Sequence, residues 1–261
     1  MRLGVTSSLV KEISGKGLSL DELKVPLVEI YLDEVPILIG TSVDWSLVKN
    51  LSGLGVRFTI HAPTHVGRFS SIDLGKRSRL NIKVMERVFQ VASSLNAEKI
   101  VVHGGSVEKS YHMAYLNTKR TLNEICKMSE ETGTGLVLEN LFGSSVGVLP
   151  YELTTLLNEN LNACLDTGHA FLAAMELGLS MDEFTLLAPY VDHAHVHDNN
   201  GTKDEHLPPG KGLLGKTFIR KLLRAVEPST AILEIRNYHS PDEILESIHC
   251  FEKIKKAEVI E

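Results

Sequence analysis

The stretch HVHDNNGTKDEHLPPGKG, residues 195–212, crowds His195, His197, Asp198, Asp204 and His206 into one short segment. Imidazoles and carboxylates are costly to bury unless they are paired or bound to a cation. Grouped without cysteine they are the ligand types of zinc and, where carboxylates dominate, of manganese or magnesium. Groups of the same kind recur upstream and downstream: His61, His103, Glu139, Asp166, His169 and Glu234.

Those residues sit at the ends of short apolar runs that alternate with helix-period segments, the pattern of a parallel sheet with crossover helices. Eight runs read as strands: 2–6, 26–32, 57–62, 99–104, 135–140, 163–168, 192–198 and 231–237. Eight strands in 261 residues predict an α/β fold, a single (β/α)8 TIM barrel forming one domain over 1–261, since that fold takes roughly 250 residues. Between strands, Val84, Val88, Val91 and Leu95 recur at three- and four-residue steps, a helix face that packs on the sheet. The basic run Lys76–Arg79 reads as a solvated helix start. In SPDEILESIHCF, Ser240, Pro241 and Glu243 predict an N-cap with a capping box.

Strand parity then sorts the polar residues. Alternate residues of a strand face opposite sides. Ile100 and Val102, Leu136 and Leu138, and Leu233 and Ile235 form faces that fit under helices. The opposite faces carry a charge or imidazole near the C-terminal end: His61, His103, Glu139, Asp166, His195 and Glu234. Barrel enzymes build their sites at that end, so closure brings these six to one mouth, with His169 following Asp166 and the loop after His195 returning Asp204 and His206. Inward carboxylates repel one another, and bound divalent cations relieve that repulsion. Imidazole richness favours Zn2+, with Mn2+ or Mg2+ as alternatives. His193, His197 and Asp198 read as supporting or packing residues.

Other totals narrow the function. A net charge of −6 without a basic stripe disfavours a nucleic-acid partner. Cys126, Cys164 and Cys250 are dispersed and form no CxxC pair, which suits a reducing compartment and argues against a thiolate zinc site. The N-terminus reads as a strand and no apolar run approaches the ~18 residues of a membrane span, so a cytoplasmic protein is expected.

HAP at 61–63, HGGS at 103–106, EN at 139–140, LDTGHAF at 165–171, HVHD and DEHLPPGKG occur in an order that resembles the xylose isomerase-like barrel superfamily, and within it endonuclease IV. The resemblance spans nearly the whole chain. It implies up to three zinc ions: His61 and His103 on one, Glu139 bridging to a second completed by Asp166, His195 and Glu234, and His169, Asp204 and His206 on the third. It also departs from the nuclease, because Thr64, His65 and Val66 stand where the nuclease carries its DNA-opening wedge.

Two chemistries follow from that resemblance. One is metal-dependent hydrolysis of a phosphoester, with a small molecule favoured over DNA as substrate. The other is metal-dependent isomerisation or epimerisation of a sugar or sugar phosphate, with Glu139 and Glu234 as the catalytic proton-transfer pair. A barrel that keeps its ligands without turnover is a third, minor reading. Arg236, which shares a face with Glu234, and Lys211, set between glycines, are the expected substrate-binding contacts for a phosphate.

Overall fold

The computed structural model describes residues 1–16 and 19–251. The expected single domain over 1–261 therefore includes positions 17–18 and 252–261, which lie outside the described residues. Eight parallel strands close into a barrel in chain order, the first pairing with the last. They are β1 (Arg2–Thr6), β2 (Leu27–Tyr31), β3 (Arg57–His61), β4 (Lys99–His103), β5 (Gly135–Glu139), β6 (Asn162–Asp166), β7 (Val191–Val196) and β8 (Thr230–Leu233). All eight expected strands are present. The sixth ends earlier than expected, because Asp166 already caps the helix Thr167–Leu177 by accepting the His169 amide proton at 2.7 Å. A small hairpin, Leu38–Ile39 against Ser42–Val43, lies after β2.

Helices cover the outside of the barrel. Residues 79–94 form the helix expected around Leu80, with Ser78 as N-cap and Val84, Met85, Val88, Phe89, Val91 and Ala92 buried on the sheet. Each fully buried Val or Phe there contributes about 1.5–3 kcal/mol. Lys76 and Arg77 precede this helix, and Lys76 pairs with Glu108 and Asp73. The last helix, Pro241–Phe251, starts where expected, but its cap differs. Glu243 accepts from the His239 amide at 2.9 Å rather than from Ser240, and Ser240 contributes its carbonyl to Glu243 N at 3.1 Å.

Strand register sets the height of the site. Tyr31 is level with His61, His103 with Glu139, and Asp166 with His195. Connections at the opposite end are short, such as 133–134 between a helix and β5, whereas 62–78 and 197–215 are long loops at the C-terminal ends. The barrel interior is apolar at Val101, Val137 and Cys164. Strands β1 and β2 approach closely at Gly4, where a Cβ would sit 2.5 Å from the Leu27 carbonyl oxygen. Polar groups also go deeper than expected: Lys99, Glu29 and His193 are buried inside the barrel, below the strand ends.

Candidate metal centre

The C-terminal mouth collects all nine residues read as ligands. His61, on the last position of β3, turns its Nε2 to His103 Nε2 at 3.1 Å and to Glu139 Oε2 at 3.3 Å, and His103 Nε2 lies 3.1 Å from the same oxygen. Donors sharing one tetrahedral zinc at 2.0–2.1 Å stand about 3.3 Å apart, so this near-equilateral triangle has the spacing of a shared cation. The Nδ1 of His61 donates to the Ala62 carbonyl at 2.9 Å, which leaves a lone pair on Nε2 when the ring is neutral.

A second group surrounds His195. Its Nδ1 is 3.3 Å from Glu139 Oε2, 3.3 Å from Glu234 Oε1 and 3.9 Å from Asp166 Oδ2. The third gathers at Asp204, whose Oδ2 is 2.9 Å from His206 Nε2 and 3.5 Å from His169 Nε2. Here too the outer nitrogens are committed to backbone carbonyls: His169 Nδ1 to Asn140 O at 3.1 Å and His206 Nδ1 to Glu234 O at 2.9 Å. His206 adopts a left-handed φ of 50°, a conformation that costs a non-glycine residue energy. Its carbonyl is held by the Arg236 and Asn237 amides.

Neighbouring residues explain the motifs. Asn140 exchanges two hydrogen bonds with the Asp166 backbone and so locks the ends of β5 and β6 together. Gly168 is required because a Cβ there would lie 2.0 Å from the His197 ring. That ring stacks on His206 and places Nε2 3.0 Å from Asp166 Oδ1. Asp198 is wholly buried and accepts from the amides of Asn199, Gly210, Leu214 and Gly215, and so shapes the loop that carries Asp204 and His206.

Charges in the mouth are strongly coupled. Burial alone would push the Glu139 carboxyl up, but the His195 and His103 imidazoles outweigh it and hold that carboxyl well below its ordinary range. Burial disfavours a charged His195, yet the surrounding acids raise its imidazole well above the usual value. The mouth therefore draws in positive charge. Its hydrogen bonding is also incomplete. Among the described residues, the buried side-chain polar atoms lacking a hydrogen-bond partner are Glu29 Oε1, His195 Nδ1 and Nε2, His197 Nδ1, Asp204 Oδ1 and Arg2 Nε; those of His195, His197 and Asp204 belong here, and Glu29 lies just beneath them. Donor groups with the spacing of a shared ion, next to unpaired atoms at His195 and Asp204, fit a divalent metal.

A cavity of about 330 Å³ opens over this centre, lined by Tyr31, Thr64, His65, Val66, Arg68, His103, His169, Asp204, Glu234 and Arg236 among others. Arg236 is half-exposed in its wall, 3.6 Å from Glu34. Lys211 lies apart from that lining, and its Nζ pairs with Glu243 at 3.0 Å. Thr64 is fastened to Asp33 by backbone and hydroxyl, whereas Val66 projects at the rim, 76% exposed.

Several site residues escaped the sequence reading. Tyr31 donates to Glu234 Oε1 at 2.7 Å and stacks on His61. Glu29, completely buried, accepts from Thr59 at 2.8 Å and reaches both His193 and His195. Its signal was present: a lone acid in the apolar strand LVEIY, on the inward face with Tyr31. Cys164 faces inward as well, within ligand distance of His193 and His195, and burial pushes its thiol far up.

Comparison with known proteins agrees with this architecture. A family model described as a xylose isomerase-like TIM barrel matches residues 28–254. An uncharacterized protein of Methanocaldococcus jannaschii is 26% identical over 246 residues, covering 91% of this chain and 93% of the relative. A probable endonuclease 4 of Halorhodospira halophila is 29% identical over 57% of each chain. A solved D-tagatose 3-epimerase-like protein superposes with a TM-score of 0.75 at 22% identity, covering 97% of this chain and 96% of that one. With its matching strands, its mouth of imidazoles and carboxylates and its family match over most of its length, the chain belongs to the xylose isomerase-like TIM barrel family.

Proposed function

We propose that the protein is a divalent-metal-dependent enzyme, holding up to three zinc ions, that hydrolyses a phosphoester in a small molecule. The observation that carries this reading is the division of the nine residues into three donor groups, of which His61, His103 and Glu139 form the tightest. A single-metal isomerase needs only the group around His195. Bound zinc supplies Lewis acidity, making water nucleophilic near neutral pH and taking up charge on a phosphoryl oxygen. The chain's own residues do the rest. Glu139 joins two donor groups, and the Tyr31 hydroxyl holds Glu234 in place. Arg68 and Arg236 in the cavity wall offer guanidinium donors to an anionic group. A cavity of about 330 Å³ suits a small substrate, and a net charge of −6 disfavours a DNA substrate.

A second reading, epimerisation of a sugar or sugar phosphate, draws on one feature: Glu139 and Glu234 flank His195 Nδ1 at equal distances of 3.3 Å. Two carboxylates on either side of a bound hydroxy-ketone can exchange a proton at carbon. Elemental analysis of chelator-washed protein reconstituted with zinc, followed by assays on small phosphomonoesters and phosphodiesters and on ketoses, separates the two. About three zincs per chain with phosphate release supports hydrolysis. One metal per chain with ketose turnover overturns it in favour of the epimerase.

A further inference from the structure

Below the mouth, a line of buried polar groups runs down the barrel axis to its floor. Lys99, at the start of β4, donates to Asp192 O at 3.1 Å, Ser229 Oγ at 2.6 Å and Thr230 Oγ1 at 2.9 Å. A lysine ammonium has three protons and no acceptor; with Asp192 Oδ2 also at 3.1 Å, four oxygens share them, and the two nearest, Ser229 Oγ and Thr230 Oγ1, each take one, so the Thr230 hydroxyl proton points elsewhere. The near acceptor is His193 Nδ1 at 2.6 Å, while the Asp192 carbonyl is a poor alternative at 3.5 Å. A proton on Nδ1 instead would turn the Nε2 lone pair of a neutral His193 onto Glu29 Oε2 at 3.1 Å, oxygen and nitrogen facing each other without a hydrogen. His193 therefore donates from Nε2 to Glu29 Oε2, the oxygen that also takes the Thr59 hydroxyl.

Glu29 Oε1 is then left for one partner. His195 Nε2 lies 2.9 Å from it, off the line of an ideal hydrogen bond, and forms no other hydrogen bond. We propose that Glu29 is a positioning residue that holds the proton of His195 on Nε2 and thereby presents His195 Nδ1 to the cation among Glu139, Asp166 and Glu234. The chain of donors has one direction, from an ammonium that can only donate to a nitrogen that must be bare when it binds a metal. It makes the barrel floor, at the opposite end of β4 from His103, part of what orients the centre. The inference rests on the metal reading above for the identity of the ligand, but its hydrogen-bond content stands apart from it.

The test uses Glu29→Gln, which keeps the shape of Glu29 but offers one acceptor oxygen and one NH2 group where two oxygens stood. Protein labelled with 15N-histidine is examined by NMR, metal-free and zinc-loaded, and zinc affinity is measured by chelator competition. The expected result in the wild type is a slowly exchanging proton on His195 Nε2, shifted downfield by the carboxylate. In Glu29→Gln that signal moves or broadens and zinc binds about 10- to 100-fold more weakly, the range for losing a carboxylate partner of a ligating histidine. Unchanged affinity with an unchanged His195 signal overturns the proposal. So does a wild-type His195 whose Nε2 bears no proton, a result that needs no variant and holds even if Glu29→Gln fails to fold. A wild type that binds no divalent metal sinks the metal reading instead, and the His195 signal then still decides the role of Glu29.

Discussion

The barrel buries two polar clusters on one axis, and they differ in completeness. At the floor, Lys99 is only 6% exposed, yet its ammonium is fully engaged by Asp192, Ser229 and Thr230. At the mouth, His195 Nδ1, His197 Nδ1 and Asp204 Oδ1 are left without hydrogen-bond partners. A buried polar group without a partner costs about 1–3 kcal/mol, so a satisfied cluster can be structural whereas an open one is sustained by something that completes it. Burial alone does not separate scaffold from site, because each cluster mixes fully buried and partly exposed groups.

The largest effect that would break this contrast is at Glu139. Glu139→Gln removes the oxygen that two donor groups share. Zinc affinity at the mouth is expected to fall more than about a hundredfold, beyond the usual loss for a supporting residue, and turnover with it. The chelator-treated protein should keep its fold but melt below the wild type, since the buried imidazoles of His61, His103 and His195 lose the carboxylate they pair with. Calorimetry of metal-free and zinc-loaded protein reads both quantities. A variant that keeps its full zinc content would show that the open atoms of the mouth are not ligands.

At the floor the expectation reverses. Lys99→Met deletes a hydrogen-bonded ammonium and leaves Asp192, itself 37% exposed in its side chain, to turn to water. A loss of about 1.5–3 kcal/mol is expected for hydrogen bonds to a charged group, or roughly 3–12 °C in Tm for a chain of this size. Zinc per chain at saturating metal should stay near the wild-type value, with affinity lowered less than in Glu29→Gln because Lys99 acts on His195 only through Thr230, His193 and Glu29. Thermal melts with parallel metal analysis check it, and a variant that melts normally but has lost zinc would erase the distinction between floor and mouth.

How much of this was legible in the sequence depended on periodicity. The positions of His61, His103, Glu139 and Asp166 could be read because each ends a strand whose alternation is plain, and strand closure then does the convergence. Asp204 and His206 lie on a loop without periodicity; their return to the mouth reads from its short span after His195, their grouping with His169 comes only from the resemblance, and physically their place depends on Asp198 gathering four amides. Lys211 and Ser240 show the limit of local reasoning. Both expectations met the same competitor, Glu243, whose carboxylate takes the His239 amide and the Lys211 ammonium. Arg68 comes to the cavity through the loop 62–78, whose path no spacing rule describes. Glu29 was missed although its parity was readable, because a single acid in an apolar strand has meaning only once His193 and His195 are opposite it.

Asp73 offers the finest test, since it lies beside the mouth but resembles the floor in being satisfied. Its carboxylate accepts the Gly75 amide at 3.0 Å, the Ser106 amide at 2.9 Å and the Ser106 hydroxyl, and it pairs with Lys76, so it ties the loop after β3 to the loop after β4. Burial would raise its carboxyl, but these donors, the Ser106 hydroxyl first, hold it below the ordinary value. A depressed folded pKa means that the stabilisation is complete above the unfolded value, about 3.9, and is lost as pH falls through the folded one. Asp73→Asn is therefore expected to cost about 1 kcal/mol near neutral pH and progressively less below about pH 4, where the protonated acid comes to resemble the amide. Denaturant titrations of both proteins across that range check the sign. If the difference instead grew as pH fell, or if zinc content dropped with it, Asp73 would belong with the open cluster and not with the closed one.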